Sequence, residues 1–228
     1  GLDLSGPQAV YWEEYTGQAM VYCTTTAYFR PAAISVVQRG TIVHASATNT
    51  TSVFKRNNVA GNTILLCILT SSAGSTATIS SISDTRSNSY TIISASRASK
   101  TGTLNFAECA VQFAICQNIA AGANTVTVNL SASAQIEVLA FEIAAPTDAT
   151  YTSVVNTGTT LDPNAGEYST LVRSALAVVG VSVDNNSGSE SANTPAPGLN
   201  YHKVYNGGSL CHSAAIVAAR DRGNVQGK

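Results

Sequence analysis

The chain has 228 residues with 12 basic and 13 acidic residues, a balance that argues against a nucleic-acid-binding protein because displacing counterions from phosphates requires a basic surface. Serine and threonine together number 52 and lysine only four, which favours β-strands with hydroxyl-rich surfaces over surface helices. No apolar run approaches the roughly 18 residues that a membrane span needs, and the length suits one large domain or two small ones with a buried core.

The first 38 residues differ from the rest of the chain. They hold the only tryptophan, Trp12, and four of the nine tyrosines. Segments 9–15 and 18–28 are predicted to be extended, with Gly17 as the break between them, and a short apolar run follows at 32–37. We therefore predict an extended N-terminal arm over residues 1–38 and a β-sandwich domain over residues 39–228.

The remainder of the chain shows short strand patterns separated by turn signals. Continuous apolar runs at 62–70, 108–117 and 135–143 are typical of central strands covered on both faces. Further strands are predicted at 41–47, 77–82, 89–96, 125–130, 150–157, 174–183, 199–205 and 209–218. Their number and spacing predict an all-β, antiparallel β-sandwich or jelly-roll-like domain.

Several motifs resemble those of a widespread bacterial family of secreted β-sandwich proteins. They are AGNTILLCILT at 60–70, DTRSNSYT at 84–91, IAAGANTVTVNLS at 119–131, VLAFEIA at 138–144 and CHSAAIVAA at 211–219. The resemblance covers residues 40–219 and implies a jelly-roll-like fold in an exported, surface or virion protein. Ser87 departs from the family pattern, which usually has glycine at that position of the turn.

The carboxylates do not suggest a catalytic pair. Glu137 and Glu142 share one predicted strand, where an offset of five places them on opposite faces, and Glu108 begins a neighbouring strand. A carboxylate within an apolar strand needs a partner, for which Arg97 and Arg173 are candidates. The three histidines, His44, His202 and His212, accompany no GxSxG nucleophile motif. We expect no catalytic residues and no enzyme activity.

Metal, sugar and glycan sites have weaker support. Oxygen ligands cluster at 84–88 (Asp84, Asn88) and at 184–186 (Asp184, Asn185, Asn186), but these residue types also stabilise turns, and we predict no metal or cofactor. A sugar platform would have to use Tyr90, Tyr151, Tyr168, Tyr201 or Tyr205. Glycosylation sequons occur at Asn49, Asn129 and Asn185, so N-linked glycans at these residues are retained as an alternative.

The five cysteines are Cys23, Cys67, Cys109, Cys116 and Cys211. Their odd number leaves at least one outside any intramolecular disulfide. Cys109 and Cys116 are seven residues apart on one predicted strand, face opposite sides and should not pair. Two alternatives remain: buried thiols that act as small hydrophobic residues, or one disulfide, for example from Cys23 to the domain.

The arm suggests a function. An apolar, aromatic, extended segment must be buried, either as added strands of its own sheet or against a neighbouring subunit, where repeated head-to-tail addition grows a filament. The layout is similar to that of extracellular subunits that polymerise by strand donation. The first hypothesis is a structural subunit of an extracellular, bacterial filament or surface fibre, a homopolymer with contacts through Val10, Trp12, Met20 and Tyr22. The alternatives are a carbohydrate-binding or adhesin module, a virion decoration protein, or a glycan hydrolase.

Overall fold

A computed structural model describes backbone and side chains for residues 35–74, 76–101 and 106–144. Outside these ranges it describes the backbone path of eight strands. In the described part of the chain, no helix has the length and apolar character needed to cross a membrane.

The described residues form sixteen strands and one 3₁₀ turn at Ser94–Ser96. The strands are β1 (Gln8–Val10), β2 (Val21–Arg30), β3 (Ser35–Arg39), β4 (His44–Val53), β5 (Thr63–Ser72), β6 (Ile79–Asp84), β7 (Thr91–Ile92), β8 (Ala98–Thr101), β9 (Glu108–Cys116), β10 (Thr125–Ala144), β11 (Thr150–Gly158), β12 (Gly166–Ser169), β13 (Ala175–Asp184), β14 (Asn200–Gly207), β15 (Leu210–Ala219) and β16 (Asn224–Gly227). The all-β prediction is confirmed.

The largest sheet has eight antiparallel strands, with β3, β10, β5, β9 and β7 in sequence across it. Strand β10 organises this sheet, because β4 and then β3 pair along one side of it while β6 and then β5 pair along the other side. The register with β4 shifts between Asn129 and Ala134, where β10 exchanges partners. β8 pairs with β9 beside β7.

Both faces of the central strands are buried, as the continuous apolar runs predict. All residues of β5 and β9 are buried, because alternate side chains enter two separate hydrophobic clusters. The first cluster includes Leu65, Cys67, Leu69, Cys109, Val111, Phe113, Leu139 and Phe141. The second cluster includes Ile64, Leu66, Ile68, Ala114, Cys116, Val126, Val128, Ile136 and Val138.

Two smaller sheets complete the described structure. One has five antiparallel strands in the order β11, β2, β13, β15, β14. The other has three strands in the order β1, β16, β12, in which β1 runs parallel to β16. Strands β2 and β13 of the five-stranded sheet approach β9 and β5 of the eight-stranded sheet.

The predicted strands differ from the observed ones in several places: β8, β12 and β16 were not predicted, β4 extends beyond the predicted 41–47, and two further differences have an identifiable cause. The predictions at 125–130 and 135–143 fall within the single strand β10, because the intervening Ser-Ala-Ser-Ala stretch stays extended through the register shift. The prediction at 89–96 was too long. Ser96 interrupts it, since its hydroxyl donates to the Ile93 carbonyl at 2.7 Å and accepts from the Phe113 amide at 2.9 Å.

The segment predicted as an arm contains three strands that pair within the chain, of which β1 pairs with β16. β2 lies between β11 and β13, and β3 pairs with β10. The N-terminal arm itself, with its two alternatives of sheet completion and inter-subunit contact, stays a prediction. Residues 1–7, 11–20 and 31–34 lie outside the described residues.

Candidate functional site

The motif at 84–91 forms a cage around Asp84. The Asp84 carboxylate accepts five hydrogen bonds of 2.7–3.0 Å, from the amides of Arg86 and Asn88 and from the side chains of Asn88, Tyr90 and Asn124. Burial acts to raise the pKa of Asp84, but these hydrogen bonds together hold it below its ordinary value. Burial and the bond to Asp84 raise the pKa of Tyr90. The cage therefore fixes an ionised aspartate in a turn.

The cage joins two motifs that are distant in the sequence. Asn124 belongs to the stretch at 119–131, and the side-chain oxygen of Asn88 accepts a bond from the Ala120 amide at 2.8 Å. Ser87, where the family pattern has glycine, has a φ of 56°, in the left-handed region. Glycine suits this position because it has no Cβ to strain the turn.

A second cage surrounds Glu142 on β10. Its side chain is fully buried and accepts four hydrogen bonds, from the side chains of Gln38, Asn58 and Asn62 and from the Val59 amide, at 2.6–2.8 Å. Burial opposes the ionised form, yet the four bonds hold the pKa of Glu142 below its ordinary value. Asn62 belongs to the AGN motif, so this cage ties that motif to the VLAFEIA motif.

The two other acidic residues of the fully described region also have partners. Arg97 donates from Nη2 to Glu108 Oε1 at 2.6 Å, which confirms Arg97 as a partner for one of the strand carboxylates. Glu137 is fully buried and contacts Nδ1 of His44. Burial lowers the pKa of His44, and a hydrogen bond with Gln135 partly offsets this effect.

These carboxylates are not arranged as a catalytic pair. Glu137 and Glu142 lie on opposite faces of β10, since Leu139 and Phe141 enter the first cluster while Val138 and Ala140 enter the second. Asp84 and Asn88 bind each other and the turn backbone. Among the described residues no group of three or more histidine, cysteine, aspartate or glutamate side chains could hold a metal.

Three of the five cysteines are described, and all are buried, reduced thiols. Cys109 belongs to the first cluster and Cys116 to the second, which confirms that they face opposite sides of β9. Burial raises the pKa of Cys67, and burial together with nearby Asp84 raises that of Cys116 to about 11. The side chains of Cys23 and Cys211 lie outside the described residues.

Two glycosylation sequons lie side by side on an outer face of the eight-stranded sheet. Asn49 on β4 is exposed and pairs in register with Asn129 on β10, whose amide nitrogen donates to Ser81 Oγ at 3.0 Å. Tyr90 is half-buried and donates its hydroxyl to the Asp84 carboxylate. Asn185 and the remaining candidate side chains lie outside the described residues, namely those of Tyr151, Tyr168, Tyr201, Tyr205, His202, His212, Arg173, Asp184 and Asn186.

The predicted assembly residues divide into two groups. The backbone of Val10 pairs with Gly227 in β16, and that of Tyr22 pairs with Gly158 and Val183 in the five-stranded sheet. Trp12 and Met20 lie outside the described residues. Contact of these four residues with a neighbouring copy stays a prediction.

The outer face of β4, β10 and β6 carries no charged residue. We call it the outer hydroxyl face; it comprises Asn49, Thr51, Val53, Ser81, Ser83, Thr125, Thr127 and Asn129. Their neighbours along β10, and most of those along β4, are buried, as strand alternation requires. At its margin β6 pairs only with β10 among the strands that the structure describes. The face therefore ends in an edge strand without lysine or proline.

Sequence reasoning missed the Glu142 cage. The donors Gln38, Asn58 and Asn62 lie 80 to 104 positions from Glu142, so no local pattern connects them. The AGN motif at 60–62 was the one sequence feature that pointed to a donor, because it includes Asn62, but the resemblance assigns that residue no role. A scan against family models, a search of curated proteins and a search of solved structures each found no match to this chain.

Proposed function

We propose that this chain is a non-enzymatic structural subunit that assembles with copies of itself into an extracellular filament or surface fibre. In this proposal the sheets form a jelly-roll-like sandwich, and residues that precede β2 add to an open sheet edge of a neighbouring copy. The approach of β2 and β13 to β9 and β5 supports the sandwich, because it brings two sheets together over the first hydrophobic cluster.

The observation that carries the proposal is the edge strand β6. Proteins that must stay monomeric protect sheet edges with lysine, proline, bulges or covering segments, because an open edge offers unpaired backbone groups to another strand. β6 has the sequence ISSISD, in which five of the six residues are serine or isoleucine and the three serines are exposed. The adjoining outer hydroxyl face has no charge to repel a second copy. An added strand would gain backbone hydrogen bonds there.

The first test removes the donor segment. The deletion must end before Val21, because β2 is an internal strand of the five-stranded sheet. We expect a chain lacking residues 1–19 to keep a β-type circular dichroism spectrum and to elute as a monomer, while the full chain forms fibres in negative-stain images. Fibres from the truncated chain would show that this segment is not the connector.

A matched pair of substitutions tests the acceptor edge. Ser83 on β6 lies directly opposite Thr127 on β10, and both belong to the outer hydroxyl face. Ser83→Lys puts a charge at the edge and should block strand addition, whereas Thr127→Lys puts the same charge on the inner strand and should leave assembly intact. If Thr127→Lys blocks assembly as strongly, the contact involves the face and not the edge.

A further inference from the structure

The four acidic residues between positions 35 and 144 are all engaged inside the structure. Glu108, Glu137 and Glu142 are 3%, 0% and 0% exposed, and Asp84 is enclosed by its turn. The same segment has six basic residues, of which Arg97 is paired with Glu108. In this described region the acidic side chains are therefore engaged, while Lys55 and Arg56 are exposed.

Three of these cations line one groove. It has a volume of about 510 Å³ and lies between the end of β3 and the residues that follow β4, lined by Gln38, Arg39, Gly40, Thr41, Ile42, Lys55 and Arg56. No acidic residue is among the lining residues. Arg56 is held in place, since its Nη2 donates to the Val37 carbonyl at 2.5 Å and its amide donates to Gln38 Oε1 at 3.1 Å.

The groove is shaped by close backbone packing. A Cβ on Gly40 would lie 2.2 Å from Ser52 Oγ, so only glycine allows the chain to pass here. Ser52 in turn donates to the Thr41 carbonyl at 2.8 Å. Close packing therefore holds in place the backbone that forms the base of the groove lined by Arg39, Lys55 and Arg56.

The acidic counterpart of this groove lies in the first residues of the chain. Residues 1–29 contain Asp3, Glu13 and Glu14 and no lysine, arginine or histidine. Glu13 and Glu14 directly follow Trp12, one of the residues predicted to contact a neighbouring copy. Opposite charges are therefore found on the groove and on the segment that the proposed function donates.

We infer that the groove lined by Arg39, Lys55 and Arg56 binds the acidic Glu13–Glu14 pair of a neighbouring copy. This inference rests on the proposed function and names the electrostatic contact that orients the donated segment. Opposite charges at such a contact guide association and fix the register, while like charges brought together are strongly unfavourable. The exposed position of Lys55 makes the contact sensitive to salt.

Charge reversal in the full chain tests the contact. One variant carries Glu13→Lys and Glu14→Lys, and the other carries Lys55→Glu and Arg56→Glu. Each variant alone should raise the concentration needed for assembly by roughly tenfold or more, because like charges then meet at every contact. An equimolar mixture of the two should assemble again, since each lysine pair can enter an acidic groove and each glutamate pair a basic one.

The mixture separates contact between copies from contact within one copy. If the acidic pair binds the groove of its own chain, mixing cannot restore assembly, whereas a single chain carrying all four substitutions can. A control variant with Arg86→Glu and Lys100→Glu has the same charge change outside the groove and should assemble like the original chain. Circular dichroism of every variant checks that the fold is kept.

The outcomes also distinguish this inference from the proposed function. Assembly that depends on residues 1–19 but ignores both charge reversals would overturn the inference and leave the filament proposal standing. Failure of the mixture to assemble, with both variants folded, would overturn the contact between copies. A full chain that stays monomeric at all concentrations and in low salt would overturn both.

Discussion

At the scale of single residues, the turn at 84–91 shows how a motif is fixed by one backbone angle. Ser87 and Asn118 have φ values of 56° and 55°, and both occupy the left-handed region. Asparagine adopts this region readily because its short polar side chain bonds locally, whereas serine does so at a higher energy. Ser87 therefore retains strain that the glycine of the family pattern would not have.

We predict that Ser87→Gly stabilises the protein. Relief of the left-handed strain, about 1 kcal/mol or more, exceeds the entropic cost of glycine in the unfolded chain, so the net gain should be about 0.5 kcal/mol. Urea unfolding measures it as a higher midpoint at unchanged slope. Asn118→Gly is the matched control and should give no gain, and a lower midpoint for Ser87→Gly would contradict the strain argument.

Residues bound within one turn were predictable, and residues bound across the fold were not. The sequence indicates that Asp84 and Asn88 stabilise a turn, and the structure has both bonded within it. It gives no sign that Gln38 reaches Glu142, because 104 positions separate them and only the pairing of β3 with β10 brings them together. Long-range polar contacts depend on topology, which local patterns do not contain.

At the scale of elements, the Glu142 cage adds polar contacts between β10, β3 and the connection from β4 to β5. Oε1 accepts from the Val59 amide and Asn62, and Oε2 accepts from Gln38 and Asn58. The carboxylate thereby fixes β3 and the connection between β4 and β5 against β10. Each carboxylate oxygen of Glu142 accepts from two donors. A glutamine at this position would place its NH2 group against two of these donors in either orientation of the amide.

We predict that Glu142→Gln destabilises the fold by about 2–4 kcal/mol at pH 7, since two donors lose a charged acceptor inside the protein. The folded-state pKa of Glu142 is below its ordinary value of 4.5, so its contribution is complete above that pH and is lost as the pH falls through the folded-state value. The free energy of unfolding, measured in urea from pH 7 to pH 3, should therefore fall more steeply for the original chain. A difference between the two proteins that stays constant with pH would contradict this account.

The same scale shows which elements a sequence specifies. The runs at 62–70 and 108–117 are apolar over most of their length, and they form the buried strands β5 and β9. The stretch at 89–96 has an equally good strand composition, but the Ser96 hydroxyl takes over backbone bonds and ends β7 at Ile92. Composition predicts burial on both faces well, whereas a single side chain that competes for backbone groups changes a boundary without changing composition.

At the scale of the whole molecule, the two hydrophobic clusters share the strands that separate them. Cys67 and Cys109 belong to the first cluster and Cys116 to the second, although Cys109 and Cys116 lie on the same strand. Opening either cluster exposes one side of β5 and β9 and removes packing that supports the other side. The clusters should therefore unfold as one cooperative unit.

We predict that the three thiols become reactive at one denaturant concentration. In native buffer at pH 8, Cys67, Cys109 and Cys116 should resist iodoacetamide, because all three are buried and the pKa values of Cys67 and Cys116 are raised. Pulsed labelling across a urea series, with each cysteine peptide identified by mass spectrometry and scaled to its rate in full denaturant, should give coincident midpoints. Labelling of Cys116 at a lower urea concentration than Cys67 would show that the second cluster opens independently, and β5 and β9 would then not couple the two clusters.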